Sequence, residues 1–249
     1  MRAIFTYHSI DSSGSPISLP EESFKEHVRF FGSGRVRVVP LSMLPSLPDE
    51  MDAVALTFDD GFLNFTSAVL PVLAHLGFPA TVFVVSDAVG TRNSWGGREA
   101  ASIPELPLMS WSDLRRVRDA GFEIGAHTRT HRDLTQLSPA QLHDETEGCV
   151  ERILAELGDR PRRFAYPYGH VNDDVARIAG TIFEHSVTTE LRPVASTDDP
   201  ALLPRIDAWY FSKPGHLEAW GSTAFRRRLW IRAQGRRVRT MVSPRRVSQ

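Results

Sequence analysis

Val54-Ala55-Leu56-Thr57-Phe58-Asp59-Asp60-Gly61 is a β-rich run that stops on two carboxylates and a glycine. Similar runs recur along the chain. Residues 3–7 (AIFTY), 81–85 (TVFVV), 122–126 (FEIGA), 163–166 (RFAY) and 186–189 (SVTT) read as further strands. Helical patterns with start and stop signals lie between them. Ser138-Pro139-Ala140-Gln141 is a capping-box arrangement with proline at the first helical position. Leu142, Cys149, Val150, Ile153, Leu154 and Leu157 follow as one apolar face, and Gly158 ends it. Ser110 with Asp113 opens a second helix that closes at Gly121, and a third spans residues 65–76 with a kink at Pro71. Residues 87–108 lack periodicity and read as a long loop. Strands alternating with helices imply parallel pairing and an α/β architecture.

The length of 249 residues suits one large domain, 1–224, followed by a basic helix and disordered end, 225–249. A hydrophobic content of 41% is enough for a sizeable core. The net charge of −1 conceals an asymmetry, because the segment from Phe225 onward holds nine arginines and no acid, which leaves the body acidic. Arg226, Arg227, Arg228, Trp230, Ile231, Arg232, Arg236, Arg237 and Arg239 resemble a basic interfacial helix, so a peripheral membrane contact is expected. The acidic body and the lack of a recognisable binding module argue against nucleic acid. The single cysteine, Cys149, excludes an internal disulfide and reads as a core residue. The N-terminal MRAIFTYHSI lacks the apolar core of a signal peptide, so a cytoplasmic location is expected.

The chemistry gathers where the strands end. His8 follows AIFTY, Asp59 and Asp60 follow VALTF, His127 follows FEIGA, and Pro167-Tyr168 follow RFAY. In parallel α/β barrels the C-terminal strand ends are where active sites are built. A lone Asp-Asp-Gly is more often a turn, and a histidine pair is often a solvated face. Placed together after β-rich runs, they favour a site. Two histidines and one carboxylate form a common shell for catalytic zinc, with one position open for water. The second carboxylate is then free to act as a general base. Adjacent residues of an extended strand point to opposite sides, so the two aspartates divide the work.

Thr57-Phe58-Asp59-Asp60-Gly61, His127-Thr128-Arg129-Thr130-His131 and Phe164-Ala165-Tyr166-Pro167-Tyr168-Gly169 resemble three motifs of the polysaccharide deacetylases, the NodB-homology carbohydrate esterases. The resemblance covers roughly residues 1–209. It implies a distorted (β/α)7-type barrel, a divalent metal (usually zinc) and hydrolysis of N-acetyl groups on glycans. Carried over, it makes Asp60, His127 and His131 the metal ligands and Asp59 the base. The Tyr168 N–H, after Pro167, would stabilise the oxyanion. Two positions depart from the pattern. Ala165 stands where an arginine usually steadies the catalytic aspartate, and Arg205, expected at a strand end, is the best substitute. The general acid usually lies in a late Leu-x-His segment, which Pro214-Gly215-His216-Leu217 only approaches. His8 in Thr6-Tyr7-His8-Ser9-Ile10 resembles a version carried at the N-terminus and is preferred; His216 reads as an exposed loop residue. His27, His75, His143, His170 and His185 read as surface or packing residues. The motifs describe the reacting centre alone, so O-acetyl esters and formylated or lipid-linked glycans also fit it. The missing arginine leaves room for a non-catalytic glycan binder.

Overall fold

The computed structural model describes residues 1–95 and 103–242, with side chains described through residue 235. Among the described residues ten strands form in chain order: β1 (Arg2–Tyr7), β2 (Ser9–Ile10), β3 (Ser18–Leu19), β4 (Arg37–Val38), β5 (Ala53–Phe58), β6 (Ala80–Val84), β7 (Glu123–Ala126), β8 (Arg163–Ala165), β9 (His185–Val187) and β10 (Ile206–Asp207). The main sheet runs β10-β1-β5-β6-β7-β8-β9, all parallel, with β4 also pairing with β5. The residues just before β10 bring its two edges together. Leu203 bonds to β9 through the Ser186 and Thr188 backbone, and Ile206 pairs with Phe5 of β1. The sheet is therefore curled until its edges meet, with the parallel α/β pairing expected from the strand–helix alternation and the distorted barrel form that the resemblance implies.

Period-two alternation sorts the side chains. Phe5, Tyr7, Val54, Leu56, Phe58, Val82, Val84 and Phe164 share one core cluster with the surrounding helices. Ile4, Ala55, Phe83, Ala165, Val187 and Leu203 form a second cluster inside the barrel. Phe83 so fills this interior that a Cβ on Gly125 would lie 2.5 Å from its ring. Glycine in FEIGA is thus a packing requirement. Continuing the inward alternation past the strand ends puts His8 in line with Ile4 and Thr6, and Asp59 in line with Ala55 and Thr57. Thr6 pairs with Thr57 in register, so His8 and Asp59 come next to each other at the rim.

The helices are α1 (Glu21–Gly32), α2 (Leu70–Leu76), α3 (Trp111–Asp119), α4 (Pro139–Leu157), α5 (Asp173–Ile182) and α6 (Thr223–Val242). Both expected capping boxes form, Ser110 with Asp113 and Ser138 with Gln141, each cap being worth about 1 kcal/mol. Gly158 ends α4 at φ 80°. Leu154, expected on the apolar face of α4, is instead an exposed residue. Pro71 does not kink a single helix. Residues Phe65–Val69 form a π-helical turn, and Pro71 sits in the first turn of α2, where its missing N–H costs no helical bond. The expected loop at 87–108 contains a short 3-10 turn at its start, Ser86–Ala88, and bridges joining Arg92 to Pro107 and Phe62 to Leu108. Its residues 96–102, like the expected disordered end at 243–249, lie outside the described residues. Cys149 is fully buried, and burial pushes its thiol up to about 12, which suits a core residue rather than a nucleophile. Among the described residues no helix is long and apolar enough to cross a membrane.

Candidate active site

At the C-terminal rim, β5 delivers Asp59 and Asp60, β7 delivers His127, and the loop after β7 delivers His131. All four are buried. Extended alternation would send Asp60 away from its neighbour's side of the sheet. Left-handed backbone, φ 71° at Asp60 and 72° at Gly61, redirects it toward the histidines. Thr128 (65°), His131 (61°) and Tyr168 (59°) complete the set of non-glycine residues with positive φ among those described. Every one belongs to the three motifs. Such conformations cost of order 1 kcal/mol or more each and persist where the surroundings over-determine them.

Asp60, His127 and His131 each present one ligand-type atom, all within 4.8 Å of one another. Asp60 Oδ1 is buried without a hydrogen-bond partner and lies 3.4 Å from His127 Nε2 and 3.5 Å from His131 Nε2. These separations are long for hydrogen bonds. They match ligands bound at about 2.0–2.2 Å around one tetrahedral ion, which sit roughly 3.3–3.6 Å apart. His127 donates from Nδ1 to the Ala165 carbonyl at 2.7 Å, which orients the ring and turns Nε2 toward Asp60. Burial pushes His131 down to about 3, so it is neutral and able to ligate near neutrality. The donor set thus fits a divalent ion of the zinc type.

The His127–His131 loop is braced from α4. The carboxylate of Glu145, itself buried, accepts from Thr130 N at 2.9 Å and from the Thr130 hydroxyl, while its backbone oxygen accepts from Arg129 N. Thr128 Oγ1 accepts from His131 N. Arg129 is held by Asp87 and Asp144 over Gly148, where a Cβ would meet its side chain at 2.7 Å. Removing this brace would loosen His131, one of the three residues that could hold an ion, without touching it. Glu145→Ala is therefore expected to weaken zinc binding by about 10- to 100-fold. Competition with a chromophoric chelator, on protein shown to be folded, checks this; an unchanged affinity would contradict it.

Asp59 is engaged differently. Arg205 forks onto it, Nη1 to Oδ1 and Nη2 to Oδ2, both at 2.7 Å. Thr6 Oγ1, Thr57 Oγ1 and the Thr188 carbonyl accept the other guanidinium hydrogens. Burial alone would raise the Asp59 carboxyl, but the Arg205 guanidinium outweighs it and holds the group well below the usual carboxylate range. Arg205 lies just before β10, not at a strand end as expected, and it reaches the aspartate from the strand that closes the barrel. At the third-motif position Ala165 contributes only packing and its carbonyl. The main sequence-level argument for a non-catalytic relative, an unpartnered Asp59, falls with this pair.

His8 Nε2 lies 3.8 Å from Asp59 Oδ2 at the open side of the site. His216 is elsewhere. It is half-buried, not exposed as expected, against Phe211 and within 2.8 Å of Arg228 on α6. Pro167 and Tyr168 form a tight turn after β8, and the Tyr168 ring lies 4.6 Å from that of His131. Gly169 must be glycine, since a Cβ would fall 2.0 Å from Thr189 Oγ1 and displace the Tyr168 backbone. Sequence reading missed Trp95, whose ring centre is 4.8 Å from that of His131, and the His170–Asp133 pair at 2.8 Å beside Tyr168. The position of His170 directly after the third motif was the available signal. His27 is a packing residue, buried between Tyr7 and the Phe211 carbonyl.

A curled parallel sheet with carboxylates and imidazoles gathered at one rim defines a hydrolase-type α/β site. Residues 47–182 match the family model described as polysaccharide deacetylase, and the chain belongs to that family. It is similar to a chitooligosaccharide deacetylase of Bradyrhizobium sp. (strain ANU 289), 37% identical over 49% of this chain and 49% of that protein. It is also similar to a chitin deacetylase of Colletotrichum lindemuthianum, 31% identical over 55% of this chain and 50% of that one. The chain thus spans about half the length of these curated relatives. In fold it resembles the Streptococcus pyogenes deacetylase PplD, solved with acetate, at a TM-score of 0.70 and 21% identity, over 83% of this chain and 91% of that one.

Proposed function

We propose that this protein is a metal-dependent hydrolase that removes the acetyl group from an N-acetylated sugar of a glycan. The observation that carries the reading is the division of labour between two adjacent aspartates. Asp60 faces two imidazoles, while Asp59 is gripped by Arg205 and stands next to His8. Family membership and the similarity to chitin and chitooligosaccharide deacetylases support the substrate class.

Asp60, His127 and His131 would hold the ion, and a two-imidazole, one-carboxylate set favours zinc. Bound there, it supplies Lewis acidity and lowers the pKa of a water toward neutrality. The remaining steps belong to the chain. Asp59, kept ionised and immobile by Arg205, accepts the proton of the attacking water. The Tyr168 N–H, aimed by its left-handed turn, donates to the oxygen that becomes negative as the acetamide carbonyl is attacked. His8, reached from the same open side, gives a proton to the departing sugar amine. Base and acid are separate groups with opposite protonation requirements, which yields a bell-shaped pH profile.

The test is a panel of N-acetylated, O-acetylated and N-formylated chitooligosaccharides with product assays for acetate, formate and free amine. The expected result is acetate and amine in equal amounts from the N-acetylated member, with much slower release from the others. Faster release of formate, or of acetate from the ester, would reassign the substrate.

A further inference from the structure

Helix α6 is anchored to the body by one face. Phe225 and Leu229 are 1% and 2% exposed, Phe225 stacks on Phe211 with ring centres 4.8 Å apart, and Arg228 reaches His216. Arg232 lies over the Tyr210 ring, 5.5 Å from its centre. Anchoring on these residues leaves the opposite face outward, where Arg226, Arg227, Trp230 and Ile231 fall together at i, i+4 spacing. Trp230 is 63% exposed and Ile231 52%, both among the large apolar side chains most open to solvent in the described part of the molecule. The sequence from Phe225 onward adds no acid to offset its nine arginines.

We infer that this outward face docks on an anionic lipid surface, with Trp230 and Ile231 entering the interface and the arginines bound to headgroups. Charge complementarity and chemistry select this occupant together. An indole beside a branched aliphatic chain, flanked by guanidinium groups, matches the boundary between acyl chains and acidic headgroups. A nucleic-acid backbone would use the charge but leave both apolar side chains in water. The acidic body is repelled by the same surface, so the protein would be held by the helix with its barrel standing off. The proposal does not depend on the catalytic assignment, because none of these residues touches the site at the barrel rim.

Flotation of the full chain with phosphatidylcholine vesicles, with and without phosphatidylglycerol, tests it. Arg226→Glu/Arg227→Glu and Trp230→Ala/Ile231→Ala variants, each checked for an unchanged thermal melt, provide the comparison. The parent is expected to float only with phosphatidylglycerol and to be released by salt. Exchanging two arginines for acids should weaken binding by on the order of 20-fold or more. Removing the two apolar side chains should weaken it by on the order of 100-fold. Four results would overturn the proposal: a parent that does not float, equal binding to neutral vesicles, variants that bind like the parent, or a face buried in a self-association that both variants dissolve. Preferential capture of duplex DNA, insensitive to Trp230→Ala/Ile231→Ala, would also overturn it.

Discussion

Arg205→Ala is expected to lower the unfolding free energy by about 3–5 kcal/mol, the cost of leaving a buried carboxylate without its partner. The pair is 1% and 3% exposed at its side chains and forks at 2.7 Å, so little water is present to replace the guanidinium. The pH dependence follows from the sign of the shift. Arg205 holds the Asp59 carboxyl below its ordinary range, so the stabilisation is present above the unfolded value of about 4 and is lost only as pH falls through the lower folded value. Without Arg205 burial dominates and the carboxyl pKa rises. The variant's deficit then shrinks on acidification, because a neutral carboxyl is easier to bury, and the acid limb of kcat/KM moves to higher pH. Arg205→Lys should recover only part of this, since one ammonium cannot make the fork. Calorimetry at several pH values, together with pH–rate profiles, measures both effects. A melting temperature and acid limb matching the parent would contradict the assignment of Arg205 as the residue that positions Asp59.

Asp59→Asn should lower kcat by on the order of 10²–10⁴-fold with little change in KM, the usual contribution of a positioned base. The amide nearly preserves shape, and Arg205 keeps Thr6 Oγ1, Thr57 Oγ1 and the Thr188 carbonyl as acceptors, so the fold should survive. Zinc affinity should be nearly unchanged, because the atoms that would ligate the ion belong to Asp60, His127 and His131. A parallel fall in zinc affinity would mean that Asp59 acts by ordering the ligands. Full activity would remove its role as base.

Much of the site was legible because its parts sit at the ends of strongly β-patterned runs. Thr57-Phe58-Asp59 and Thr6-Tyr7-His8 each fix a side-chain direction by alternation, and His8 and Asp59 both continue the inward parity of Ile4 and Ala55. What alternation could not convey was the left-handed turn at Asp60, which overrides the strand's parity to swing the carboxylate toward His127. The role of Arg205 could be guessed but not its route. It meets Asp59 across 146 residues of sequence, through the closure of the barrel by a segment whose strand is only two residues long. Helices with a capping box were found. Helix α1 follows Pro20 with no side-chain cap, and α5 is capped by Asn172 alone, so neither carried the signal that marked α3 and α4. The brace from Glu145 was invisible for a further reason: a glutamate on an amphipathic helix reads as solvated unless its partner loop is known.

On the proposed function, Asp60, His127 and His131 hold an ion without which the neighbouring residues do no chemistry. Acetate release from N-acetylchitooligosaccharide, measured on the parent protein, after stripping by a chelator, and after stoichiometric return of zinc, tests it most directly. The expected result is release by the parent, loss on stripping, and recovery at one equivalent of zinc, with no recovery in His127→Ala. Release that survives complete stripping would rule out a catalytic ion at Asp60, His127 and His131.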